Sequence, residues 1–188
     1  MKRIGILGGI GSGKSYVAQI FRCPVFNADK EVGYLYKKDK KIFYKLKKSL
    51  PKYFNKFPVN KNDVTRAILD KDQNLKKIIE IIHLEIRKKM NKFLKKNKNK
   101  KLVVLDIPLL LENKINRKGD ILVFVDSQKK DILKRLKKRR NFNFKILKKF
   151  RNIQLSLDYK KKKSKFIIKN DFTKKTATKY VKHILKQI

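Results

Sequence analysis

Gly8-Gly9-Ile10-Gly11-Ser12-Gly13-Lys14-Ser15 follows directly on a short apolar run, Lys2-Arg3-Ile4-Gly5-Ile6-Leu7, and leads into Val17, Ile20 and Phe21 at helical spacing. The pattern Gly-x-x-x-x-Gly-Lys-Ser is a P-loop, met at Gly8, Gly13, Lys14 and Ser15. Its glycines let the backbone curl until successive N–H groups converge on phosphate oxygens. The helix that starts near Lys14 adds the positive end of its dipole at the same point. Lys14 supplies a flexible cation for the β- and γ-phosphates, and Ser15 a hydroxyl for Mg²⁺. The loop at 9–15 (Gly9, Ile10, Gly11, Ser12, Gly13, Lys14, Ser15) is therefore expected to hold the triphosphate of ATP or GTP. A glycine-rich turn that binds nothing would not need strand, loop and helix in this register.

Outward from the loop, strand-like and helical stretches alternate. Residues 24–26 read as a second strand, with Asn27-Ala28-Asp29 at its end, and 29–99 as helical and strongly basic. Within that stretch Ile78, Ile79, Ile81, Ile82 and Ile86 suit one long amphipathic helix, and 95–101 reads as a lysine/asparagine linker. Residues 102–105 form an apolar strand ending at Asp106, and 121–125 another ending at Asp126. Helix is expected over 129–140 and 144–163 with a break at 141–143, then a strand at 166–168 and a last helix at 173–188. Strands alternating with helices imply a doubly wound α/β fold with a parallel sheet covered on both faces. The long helical stretch between the second and third strands reads as an insertion, a small substrate-binding lobe.

Composition bounds the alternatives. The chain has 188 residues, a 41% hydrophobic fraction and one cysteine, Cys23, so a packed core is available and an intrachain disulfide is not. Neither a signal peptide nor a membrane-spanning run is visible, and a cytoplasmic location is the expectation. The net charge of +39 invites a nucleic-acid reading, yet the basic residues are nine arginines against forty-five lysines. Arginine is the residue suited to bidentate recognition of phosphate and base. Abundant Lys, Asn, Ile, Phe and Tyr share A/T-rich codons, so compositional drift accounts for the charge. No specific nucleic-acid partner is expected, although incidental polyanions should bind.

A P-loop does not distinguish a kinase from an ATPase; the neighbouring strand ends do, since ligands in such sheets lie there. Asp29 is placed to orient an acceptor hydroxyl and take its proton; its alternative role is a helix N-cap. Asp106 would hold Mg²⁺ through water or accept from the substrate hydroxyl, or else serve as a turn residue before Pro108. Arg139 and Arg140 lie where a cationic helix breaks at Asn141, the position of a mobile lid.

Together these residues resemble the dephospho-CoA kinase family. The P-loop at 8–15, Asn27-Ala28-Asp29, Asp106-Ile107-Pro108-Leu109-Leu110-Leu111-Glu112, Val125-Asp126, Arg135, Arg139, Gln154, Lys160 and Ile168-Lys169-Asn170 follow its motifs across nearly the whole chain. The resemblance implies a P-loop kinase fold: a five-stranded parallel sheet flanked by helices, with a helical CoA-binding insertion and a lid. On that scheme 1–36 and 100–188 form the nucleotide-binding core, with the lid at about 136–160, and 37–99 the acceptor lobe. The implied reaction is phosphorylation of the ribose 3′-hydroxyl of dephospho-CoA by ATP with Mg²⁺, carried out by a monomer away from membranes. Asp29 would be the base, Lys14 and Arg139 the phosphate clamps, Ser15 the Mg²⁺ ligand and Asn170 a neighbour of the adenine. His83, Asp106 and Leu109 would join Asp29 on the acceptor. Departures are Asn27 for the first Asp of its motif, Leu84 for a proline after His83, Leu111 for Phe and Lys165 for Asp, and 66–83 is shorter than usual. Asn27 is the departure that bears on acceptor positioning, although an amide can still hydrogen-bond the ribose. Rival readings are another small-molecule or nucleoside monophosphate P-loop kinase, and a nucleic-acid-binding P-loop ATPase.

Overall fold

The structure, a computed structural model, describes residues 1–139 and 142–188. Arg140 and Asn141, named above at the lid break, lie outside the described residues. The strands are β1 (Lys2–Gly8), β2 (Val25–Asn27), β3 (Leu102–Asp106), β4 (Ile121–Asp126) and β5 (Phe166–Lys169). The helices are α1 (Lys14–Ile20), α2 (Ala28–Lys38), α3 (Lys40–Ser49), α4 (Lys61–Asp70), α5 (Asp72–Lys96), α6 (Lys129–Lys137), α7 (Phe144–Asn152), α8 (Leu157–Lys163) and α9 (Lys174–Gln187). No helix among the described residues is long and apolar enough to cross a membrane.

The chain divides into two compact units. One comprises Met1–Asn27, Leu94–Phe142 and Ile153–Ile188. It holds a parallel sheet in the order β2-β3-β1-β4-β5. Ile4, Ile6, Val104, Val123, Val125 and Ile168 are fully or almost fully buried and pack with Val17, Ala18 and Phe21 of α1 and Ala177, Val181 and Ile184 of α9. Such near-continuous apolar strands are what a sheet covered on both faces requires. The expected five-stranded parallel α/β sheet is thus present, with its first strand at the centre.

The second unit, Ala28–Phe93 with Asn143–Asn152, is helical. Along α5 the buried residues Leu75, Ile78, Ile82, Ile86 and Met90 recur every three or four positions, so one stripe faces the unit's interior. Buried Asn74 closes the α4–α5 joint by donating from Nδ2 to the Ala67 carbonyl at 2.9 Å. The helical reading of 29–99 resolves into four helices.

The expected continuous helix over 144–163 is two, α7 and α8, with 153–156 between them. Leu155 N–H leaves the helical ladder for Glu112 Oε1 at 3.0 Å, and Ser156 caps α8 by accepting from Tyr159 N–H at 3.1 Å. A cap satisfies donors that would otherwise be orphaned, so it restarts the helix there.

Candidate active site

The loop between β1 and α1 is shaped by two glycines in the left-handed region, Gly11 at φ 86° and Gly13 at φ 90°. Side chains there would be strained by the backbone alone. A Cβ on Gly13 would also come within 2.6 Å of Asn170 Nδ2. Gly13 caps α1 without a side-chain hydrogen bond, and the first turn carries no acidic residue, so the positive end of the helix is left for an anion.

The loop is braced from β4 and β5. Asn170, buried, donates from Nδ2 to the Ser12 carbonyl at 2.8 Å, and Ser127 Oγ donates to the same carbonyl at 3.0 Å. Asn170 N–H donates to the Asp126 carbonyl at 2.7 Å, and its Oδ1 accepts from Phe172 N–H at 3.1 Å. Asn170 is therefore a strut of the phosphate loop. It also lines an open cleft of about 390 Å³ with Asp126, Gln128, Asp131, Asp171 and Tyr180, at the C-terminal ends of β4 and β5. Lys14 arches back over the loop, its Nζ donating to the carbonyls of Gly8 and Gly9 at 3.0 and 2.7 Å. Ser15 is exposed one residue into α1.

On the other side of β1, Asn27 and Asp106 end adjacent strands in register. Asn27 Nδ2 donates to Asp106 Oδ2 at 2.6 Å, and Asp106 is only 3% exposed. Asp106 is thus a buried, partnered carboxylate at a strand end. Leu109 opens the turn after β3, its carbonyl accepting from Asn113 N–H at 3.2 Å. Arg139 is exposed just beyond α6, its N–H donating to the Leu136 carbonyl at 3.0 Å.

The unit around the sheet therefore gathers residues 9–15, Asp106, Leu109, Arg139 and Asn170. Asp29 and His83 belong to the helical unit. Asp29 is exposed in the first turn of α2, and because α2 begins at Ala28 it stands inside the helix, not at its cap. A carboxylate there is favoured by the helix dipole. His83 lies along α5, half-buried, and its buried Nε2 finds no hydrogen-bond partner among the described residues. Burial, helped by nearby Arg87, holds its pKa below the usual imidazole value, which favours the neutral ring.

One arrangement was not legible beforehand. Lys160, 1% exposed, pairs with Glu112 at 2.7 Å, and Glu112 Oε2 is buried without a partner among the described residues. The pair ties α8 to the segment after β3, and Leu157 of α8 lies over Gly9. Both residues stand in the motifs quoted above, but nothing in the sequence marks them as partners.

Comparison with known proteins follows the same outline. The dephospho-CoA kinase family model matches residues 2–176. A dephospho-CoA kinase of Wolbachia pipientis wMel is 35% identical over 187 residues, covering 97% of this chain and 95% of that one. A solved protein of Thermus thermophilus superposes with a TM-score of 0.80 at 22% identity, over 100% of this chain and 97% of that one. A dephospho-CoA kinase of Campylobacter jejuni does so at 0.62 and 20% identity, over 99% and 96%.

Proposed function

The chain belongs to the dephospho-CoA kinase family, and from that premise we propose that it moves the γ-phosphoryl group of ATP onto the ribose 3′-hydroxyl of dephospho-CoA. The observation that carries this reading beyond nucleotide binding is the match to the dephospho-CoA kinase family over residues 2–176, with Asn27 and buried Asp106 bonded at the ends of β2 and β3.

In this mechanism the N–H groups of 9–15 and the open end of α1 hold the triphosphate, and Lys14 swings from the loop carbonyls onto the β- and γ-oxygens. Asp29 accepts the proton of the acceptor hydroxyl as its oxygen bonds to the γ-phosphorus and the bond to ADP breaks. Arg139 neutralises charge on the transferring group from the lid. Acceptor contacts are assigned to Asp106 and Leu109 and, separately, to His83 of the helical unit, whose neutral ring can donate one hydrogen bond and accept another. Asn170 keeps the loop in shape beside the adenine.

The donor set suits Mg²⁺. Ser15 presents one hydroxyl, and no cluster of three or more His, Cys, Asp or Glu that could hold a metal occurs among the described residues. Mg²⁺ is commonly held by few protein atoms together with substrate phosphates, and it neutralises charge on them. We take the active form to be a monomer, and the lone Cys23 fits a reducing cytoplasm.

The test is ADP release with dephospho-CoA as acceptor against AMP, GMP and shikimate, with the product located by phosphorus NMR. We expect turnover with dephospho-CoA and a new 3′-phosphate. Turnover confined to a mononucleotide would overturn the acceptor assignment.

A further inference from the structure

Phe172 is a bulky residue held in the left-handed region at φ 66°, where a side chain other than that of glycine is strained. Its neighbours impose that conformation. Asn170 Oδ1 accepts the Phe172 N–H at 3.1 Å, and two residues on, Asp171 Oδ1 accepts from Thr173 N–H at 2.9 Å and Thr173 Oγ1 at 2.8 Å. The ring is thereby aimed at the phosphate loop: its edge atoms would stand 3.3 and 3.5 Å from a Cβ on Gly13. Above the ring lies the guanidinium of Arg135, with Cζ 4.4 Å from the ring centroid. Arg135 belongs to α6, which sets Ile132 and Leu136 against Gly11 of the same loop, each 3.0 Å from a Cβ placed there. Two glycines of the loop are thus flanked by α6 and by a ring that carries an α6 cation.

An exposed arginine on a helix usually samples many rotamers, and ordering it on a ligand costs entropy. A guanidinium already lying on an aromatic face has surrendered much of that freedom. We propose that Phe172 is a positioning residue: its strained backbone fixes the ring between Gly13 and Arg135, so that the Arg135 guanidinium is held ready at the edge of the phosphate loop for the bound nucleotide. The inference rests on the reading of the loop as the ATP site. It also explains why strain is kept at a position where glycine would remove it.

The test is ATP affinity measured directly, without acceptor, by displacement of a fluorescent ATP analogue, together with kcat and KM for both substrates. Phe172→Leu retains apolar volume but removes the aromatic face, and should weaken ATP binding about two- to tenfold with kcat little changed. Phe172→Tyr should restore affinity. Arg135→Met should weaken binding similarly, and the double variant should be no worse than the weaker single one, because the two residues act as a unit. Phe172→Gly, which removes ring and strain together, should match Phe172→Leu in affinity, and it serves where leucine misfolds. Unchanged ATP affinity in the leucine and glycine variants, or additive losses in the double variant, overturns the proposal while leaving the kinase reading intact. A wild-type chain that binds no ATP overturns both.

Discussion

Asn27 shows how one changed atom is absorbed by its partner. Its amide donates to Asp106 at 2.6 Å, where an aspartate would set two carboxylates in contact at a buried strand end. Two carboxylates that close would repel, whereas an amide N–H donates to the carboxyl oxygen it faces. The departure that bears on the acceptor side therefore leaves a bonded pair in place. Asp29 lies two residues on, and its proposed duty is separable from nucleotide binding. Asp29→Asn should leave ATP affinity near wild type and lower kcat by roughly 10²–10⁴. Turnover and an ATP titration on the same preparation check this, and an unimpaired rate would remove Asp29 from the role of base. At this scale the P-loop was legible because its parts are contiguous. The struts around it were not: Asn170 reaches the Ser12 carbonyl, and Lys160 reaches Glu112, only after the sheet has brought distant segments together.

Among the elements, strands and helices were read from their periods, while their breaks depended on tertiary partners. No proline or glycine lies between α7 and α8, so the residues themselves announce no stop. Glu112 makes the break by capturing the Leu155 N–H. The start of α9 offers a test of such local bonding. Asp171 accepts from Thr173 N–H, Thr173 Oγ1 and Thr176 Oγ1, and these bonds hold its pKa below the ordinary carboxylate value. A carboxylate whose folded pKa is depressed contributes stability above its unfolded pKa and loses it as pH falls through the folded value. Amide exchange in the first turn of α9 should therefore quicken as pH drops below the usual carboxylate range of about 3.9, after correction for intrinsic rates. In Asp171→Ala that turn should exchange faster already at neutral pH. Equal protection in variant and wild type would show that these bonds contribute nothing to the turn.

For the whole molecule, the +39 net charge sets the terms. Charge of one sign repels itself in the compact state, and salt shortens its reach from about 10 Å at 0.1 M to about 3 Å at 1 M. The midpoint of thermal unfolding should rise with sodium chloride over that range, and binding to heparin or RNA should fall steeply. An unfolding midpoint indifferent to salt would mean that the lysines are too well solvated to repel. Polyanion binding that survived high salt would instead point to a built nucleic-acid surface. The fold class was legible at this scale because apolar strands and basic helices alternate along the chain. The place of Asn143–Asn152 was not, since it joins helices far behind it in sequence, outside the helical lobe read at 37–99.

The strand order has a consequence in time. Of the five strands, β1 leaves the ribosome first, yet it lies at the centre of the sheet, with Lys2 beside Leu102 and Ile4 beside Ile121. At a synthesis rate of about 5–20 residues per second, it waits about 5–20 s for its flanking strands. Throughout that interval the apolar Ile4-Gly5-Ile6-Leu7 run is without the neighbours that later bury it, so nascent-chain chaperones have their longest opportunity on the segment that carries the phosphate loop.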